Sequence, residues 1–142
     1  MTILLLKENI IGYKFKLTLD VNQKNIIFVV NITFKNRKDQ LVFNDDRIRN
    51  KVYGKIRADI IKRRLAQLHF ASSLEDVKHM PGNYHELKGI SKGQWACDLD
   101  QPYRLVFSPL KNPIPSNEHG QFIWIEIKEI EVIEIVNYHK ER

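Results

Sequence analysis

Cysteine is almost absent from this chain: Cys97 is the only one in 142 residues. A lone thiol closes no disulfide and builds no Cys-rich zinc site, so the fold rests on its core, and a reducing, cytoplasmic setting suits it. Cys97 lies in the alternating stretch QWACDLD, where it reads as a small buried hydrophobe rather than a nucleophile. Long apolar runs are lacking too. The run ILLL at residues 3–6 has no charge ahead of it. It is too short for a signal peptide and far below the ~20 residues that span a bilayer. There are no internal repeats, no low-complexity tracts and no clusters of metal-ligand residues, and no cofactor is expected.

What remains is a chain of one-domain length with 43% hydrophobic residues, enough to bury a core. Its formal net charge is +6 and its pI about 9.4. That excess invites an anionic partner, such as nucleic acid, an acidic protein or a membrane surface, without choosing among them.

The hydrophobic period changes along the chain. YKFKLTLDV alternates Phe15, Leu17 and Leu19 against Lys14, Lys16 and Thr18, the pattern of a half-buried strand. NQKN reads as a turn, and IIFVVNITF as a second strand. After residue 36 the steps become three and four: Tyr53, Ile56, Ile60, Ile61, Leu65 and Leu68 predict amphipathic helix. Gly54 divides a helix over 37–53 from one over 55–71, and Asn44 with Asp45 and Asp46 offers a restart within the first. Ser72 and Glu75 are spaced as a capping box. Segments 84–88, 94–99 and 103–108 read as strands, the first two joined through GISKG as a hairpin loop. A Pro-rich loop follows. Residues 122–139 form a last β stretch whose alternation slips near Lys128 and Glu129. β, then helices, then an antiparallel meander is the α+β class.

Three blocks carry chemistry: NYHELKGISKGQW, QPYRLVF and IEIVNYHKER. In combination they resemble the HigB branch of the RelE/ParE superfamily of toxin–antitoxin toxins. The resemblance runs from about Ile32 to the C-terminus, so residues 32–142 read as a RelE/ParE-like toxin domain. Residues 1–31 lie outside it, either as an added β-hairpin or as a stretch ahead of the true start. A chain beginning at Asn31 is expected to behave as the whole. The resemblance implies two N-terminal helices packed on a twisted antiparallel sheet. It implies a toxin that cleaves messenger RNA on the ribosome, neutralised by a helix-turn-helix antitoxin with which it forms a hetero-oligomeric complex. Carried over position by position, it places the site at His85, Lys88 and Arg104, with Tyr138 and His139 at the C-terminal end. Asn137 stands where the family has Asp. An Asp there would orient or charge a neighbouring His, whereas Asn keeps the hydrogen-bonding shape and loses the charge.

The residue types suit RNA cleavage by the RNA's own 2′-OH. That reaction needs a base for the hydroxyl, positive charge on the phosphorane oxygens and an acid for the departing 5′ oxygen. His titrates near neutrality, Arg grips two phosphate oxygens with a planar fork, and Lys supplies a compact charge. Arg57, Lys62, Arg63 and Arg64 on the helix, with Lys92 in the hairpin loop, are the expected phosphate contacts to ribosomal RNA. Each has a plainer reading: a solvated helix face, exposed hairpin residues, or, for Arg104, an ion pair with the acidic last strand. His69, His79 and His119 read as surface, and Trp95 and Trp124 as packing. Two other functions stay open on the same fold, a ParE-like inhibitor of DNA gyrase and a degenerate toxin that only binds antitoxin.

Overall fold

The computed structural model describes residues 3–5, 18–20 and 30–139. Strands β1 (Ile3–Leu5) and β2 (Thr18–Asp20) pair antiparallel as a separate two-stranded sheet. The expected hairpin joined segment 13–21 to segment 26–34 instead. Thr18–Asp20 is a strand, but its partner is β1, and residues 21–29 lie outside the described residues.

After β3 (Asn31–Phe34) come three helices, α1 (Arg37–Asn44), α2 (Asp46–Tyr53) and α3 (Lys55–Phe70). Short acceptors set the starts of α1 and α2. Asn36 accepts from the Asp39 N–H, and Asp45 accepts from the N–H groups of Arg47 and Ile48, which makes the restart at 45 a true N-cap. Arg49 is buried beneath that corner and donates to the Phe43 carbonyl and the Asp46 carboxylate. Gly54, at φ 79°, separates α2 from α3.

A short α4 (Leu74–Val77) brings the described residues to four helices. The expected capping box is not used: Ser73 is the N-cap and makes no side-chain capping bond. Ser73 is buried instead, with its neighbours Leu74 and Val77 in the core, so burial decides this helix start.

The meander follows as β4 (His85–Glu86), β5 (Trp95–Asp98), β6 (Tyr103–Pro109) and β7 (Glu129–Asn137). The sheet order is β3-β7-β6-β5-β4. It is mixed rather than antiparallel, because β3 lies parallel to β7. The cause is the crossover: the helices and the rest of the meander intervene between these strands, so β3 need not be a hairpin neighbour. The last stretch is also shorter than expected. Trp124–Glu126 is a 3-10 turn, and the strand starts only at Glu129. Val106 faces Glu134 while Phe107 faces Val132, so Ile133 is a bulge.

That bulge keeps both halves of β7 in register with one core. Ile130 and Val132 pack with Ile32, Phe34, Leu105, Phe107, Cys97 and Trp95 against Ile61, Leu65 and Leu68 of α3. Val30 belongs to this core, fully buried. Its N–H donates towards the His69 and Ala71 carbonyls, and its carbonyl meets His69 Nδ1 at 3.2 Å. The packed unit therefore includes Val30, two residues ahead of Ile32, where the resemblance begins. His69 is buried for the same reason and is not a surface residue. No helix among the described residues is long and apolar enough to cross a membrane.

Gly82 fastens α3 to the meander. At φ +122°, a Cβ there would stand 2.7 Å from Arg64 Nε. That nitrogen donates to the Asp98 carbonyl at 2.8 Å and has little freedom to retreat. Gly82→Ala is expected to cost about 1–3 kcal/mol through backbone strain and this clash. Denaturant titration checks it: a midpoint unchanged from wild type would show that the contact is slack.

Candidate functional site

Cross-strand partners share a sheet face, so the register places the candidate residues. His85 faces Ala96, Ala96 faces Val106 and Val106 faces Glu134. Arg104 lies two residues before Val106, opposite Asp98 on one side and Val136 on the other. His85, Asp98 and Arg104 therefore share the face turned away from the helices. Ala96 and Val106 form its buried apolar floor and stand outside the main core cluster. Strand spacing puts the His85 and Arg104 backbones roughly 12 Å apart.

A chain of hydrogen bonds crosses that distance. His85 Nδ1 lies 2.7 Å from the Asn83 carbonyl. Asn83 Nδ2 donates to Asp98 Oδ2 at 3.1 Å, and Arg104 Nε donates to Asp98 Oδ1 at 3.2 Å. The Arg104 guanidinium then stacks on Tyr138, 4.1 Å from the ring centroid. Since a carbonyl only accepts, neutral His85 carries its proton on Nδ1, and Nε2 keeps its lone pair. Nε2 makes no hydrogen bond among the described residues, and neither do the two terminal nitrogens of Arg104.

The C-terminal residues are placed by a turn. Tyr138 N–H donates to the Pro102 carbonyl at 3.0 Å, and Asn137 Oδ1 accepts from the His139 N–H at 3.1 Å. Asn137 thus spends its side-chain oxygen on shaping the turn. Lys88 is exposed just outside β4, at the start of the 3-10 turn Gly89–Ser91. Lys92 is exposed beyond that turn, its ammonium 5.4 Å from the Phe122 ring centroid.

The basic helix residues do not form one face. At 100° per residue, Arg57 and Arg64 flank α3 on the side of the meander, Lys62 lies on the opposite flank and Arg63 points away from the core. Arg57 donates twice to Asp100, at 2.8 and 3.1 Å, and lies 3.4 Å above the Tyr103 ring. Lys62 pairs with Asp46 at 3.2 Å, holding that carboxyl below its ordinary range. Arg64 donates to the Asp98 carbonyl and towards Gln67 and the Pro81 carbonyl. Arg63 is exposed and carries no ion pair among the described residues. Arg104 also differs from expectation: its ion-pair partner is Asp98 on β5, not the acidic last strand.

Asn83 and Asp98 were missed by the sequence reading, though signals for both exist. Asp98 and Arg104 are equidistant from the Asp100–Pro102 turn, the placement of an opposite-charge cross-strand pair. Asn83 follows Pro-Gly and takes φ 53°, a conformation that Asn enters more readily than most residues.

No protein-family model matches the chain, and neither a curated protein nor a solved structure matches it.

Cys97, fully buried on β5, is packing and not chemistry. Burial pushes its thiol from 9.0 up to about 12, and burial likewise raises the Tyr84 phenol well above its ordinary range. In the folded state both prefer the protonated form, so their contribution is fully present below pH 9. It is lost as pH rises and the unfolded chain ionises first. Ellman's reagent is expected to leave the native thiol untouched and to label it only in denaturant. The melting temperature should fall above pH 9, less steeply in Cys97→Ala. Rapid native labelling would contradict this burial.

Proposed function

We propose that this chain is a ribosome-dependent mRNA endonuclease of the toxin–antitoxin kind, cleaving RNA by attack of its own 2′-OH. What carries the reading is two groups on one sheet face: a His85 ring whose Nε2 is left as a proton acceptor and, two strands away, an Arg104 guanidinium whose terminal nitrogens make no hydrogen bond among the described residues. Ribosome dependence and the helix-turn-helix antitoxin partner rest on the resemblance of the HELKG, PYRLVF and NYH blocks.

In the proposed reaction His85 Nε2 takes the proton of the attacking 2′-OH. The 2′ oxygen bonds to phosphorus, and the bond from phosphorus to the 5′ oxygen breaks. Arg104 pairs with the non-bridging oxygens as negative charge builds on them, and its stacking on Tyr138 holds the fork flat. Lys88 adds a mobile charge at the rim. His139, in its imidazolium form, returns a proton to the leaving 5′ oxygen. The products are a 2′,3′-cyclic phosphate and a 5′ hydroxyl. Arg63 is the helix cation best placed to meet ribosomal phosphate, because Arg57 and Arg64 are engaged within the fold.

Purified protein added to translating ribosomes is expected to cut mRNA and leave 2′,3′-cyclic ends. His85→Ala should lower the rate about a hundredfold, the scale of a lost general base, with little change in melting temperature. Intact mRNA together with inhibited DNA supercoiling would assign the chain to the gyrase-inhibiting class instead. Binding to antitoxin with neither activity would mark it as degenerate.

The two adjacent arginines of α3 should separate by their effects. Arg63→Glu is expected to weaken ribosome binding and reduce the log–log salt slope by about one unit or more, leaving stability intact. Arg64→Glu should lower the melting temperature, since it breaks the bond to the Asp98 carbonyl. Equal effects on stability would show that Arg63 is not a free surface cation.

A further inference from the structure

We infer that Asp98 is the positioning residue of this site, one carboxylate that sets both the tautomer of His85 and the aim of Arg104. For its activity arm the inference rests on the nuclease reading. For its spectroscopic arm it rests on hydrogen-bond geometry alone.

Both carboxylate oxygens are committed. Oδ1 accepts from Arg104 Nε at 3.2 Å, and Oδ2 accepts from Asn83 Nδ2 at 3.1 Å. The main chain of Asp98 is held as well: its N–H donates to the Gly82 carbonyl and its carbonyl accepts from Arg64, each at 2.8 Å. The carboxylate is therefore a fixed point between two side chains, Asn83 and Arg104. On one side, Asn83 sits in the left-handed region at φ 53°, which costs energy for a residue with a Cβ. The bond from its amide to Asp98 helps offset that cost and steadies the peptide whose carbonyl meets His85 Nδ1. On the other side, the bond at Nε and the stack on Tyr138 fix the guanidinium plane, and the two terminal nitrogens make no hydrogen bond among the described residues.

An amide at 98 replaces this carboxylate poorly. Its oxygen can still accept from Arg104, but its NH2 finds an acceptor only if the Asn83 amide flips, and the charge that holds Arg104 is lost. Nor does Asn137 supply a substitute, since its oxygen accepts from the His139 main chain and it bears no charge. Asp98 is the carboxylate that hydrogen-bonds to Arg104.

The test uses the full chain and three variants: Asp98→Asn, Asn83→Gly, and the exchange Asn83→Asp with Asp98→Asn. Imidazole and arginine Nε nitrogen shifts are recorded by NMR, and cleavage of ribosome-bound mRNA is measured alongside. In wild type, neutral His85 should hold its proton on Nδ1. In Asp98→Asn the tautomers should mix, the Arg104 Nε signal should move, and kcat should fall about ten- to a hundredfold with KM within about twofold. Asn83→Gly keeps the left-handed backbone and should disturb only His85, leaving the Arg104 signal in place.

The exchange should restore both signals, because the new carboxylate at 83 accepts from the new amide at 98, whose oxygen accepts from Arg104. If His85 and Arg104 are both unmoved in Asp98→Asn, the inference falls whatever the activity. If Asp98→Asn does not fold, the exchange decides: both signals as in wild type uphold the inference, and either signal lost overturns it. If wild-type protein leaves mRNA intact, the nuclease reading fails, and the nitrogen shifts still decide the role of Asp98.

Discussion

Arg64 is the bolt through this structure. Its aliphatic stem leaves the flank of α3, its guanidinium packs against Gly82, and its Nε donates to the Asp98 carbonyl. Nearby, the Tyr84 hydroxyl lies 3.0 Å from the Arg64 carbonyl and 2.9 Å from Gln67. Three consecutive residues of the meander, Gly82, Asn83 and Tyr84, are thereby referred to one helix turn. The Pro-Gly-Asn turn takes its shape from this contact. The carbonyl that meets His85 Nδ1 belongs to that turn, so hydrogen bonds lead from a helix on one face of the sheet to a histidine on the other.

The same fact changes what the positive charge means. A net charge of +6 and five cations on one helix suggest a phosphate-binding surface. In the folded chain Arg57 and Arg64 tie α3 to the β5–β6 turn and the β4–β5 hairpin, and Lys62 ties it to α2. Arg57 shows why such pairs form: it is partly sheltered, makes two bonds to one carboxylate and lies on an aromatic face, all of which suit a planar guanidinium better than an ammonium. Of the residues expected to meet phosphate, Arg63 on the helix and Lys92 near the sheet edge are exposed and carry no ion pair among the described residues.

Much of the fold was legible because its signals are local. The helix restart at Asp45, the break at Gly54, the hairpin around GISKG and the burial of Cys97 each follow from a few adjacent residues. What could not be read depends on partners distant in sequence. The parallel pairing of β3 with β7 joins segments about a hundred residues apart, and alternation within either strand says nothing of direction. Val30 and His69 are buried by each other's backbone, which no window of sequence contains. The short final strand arises because Trp124 turns into the core against Trp95, with ring centroids 5.2 Å apart; an aromatic in an alternating run reads as strand until its packing partner is known.

The site divides along the same line. His85, Lys88, Arg104, Tyr138 and His139 came from the family resemblance, and the His, Lys and Arg among them suit phosphodiester chemistry. The groups that orient them were not, because Asn83 and Asp98 look like an ordinary turn residue and an ordinary strand end. Their importance is geometric. The carboxylate expected at 137 would have acted on a histidine from the end of β7. Asn137 instead folds the chain back so that Tyr138 stacks against Arg104, and the negative charge enters from β5. A charge placed there reaches Arg104 directly and His85 only through the neutral Asn83 peptide. The arginine is thus held by an ion pair while the histidine is oriented without one. That separation suits a site in which one group must stay charged and the other must exchange a proton, and it gives the uncharged residue at 137 a structural task of its own.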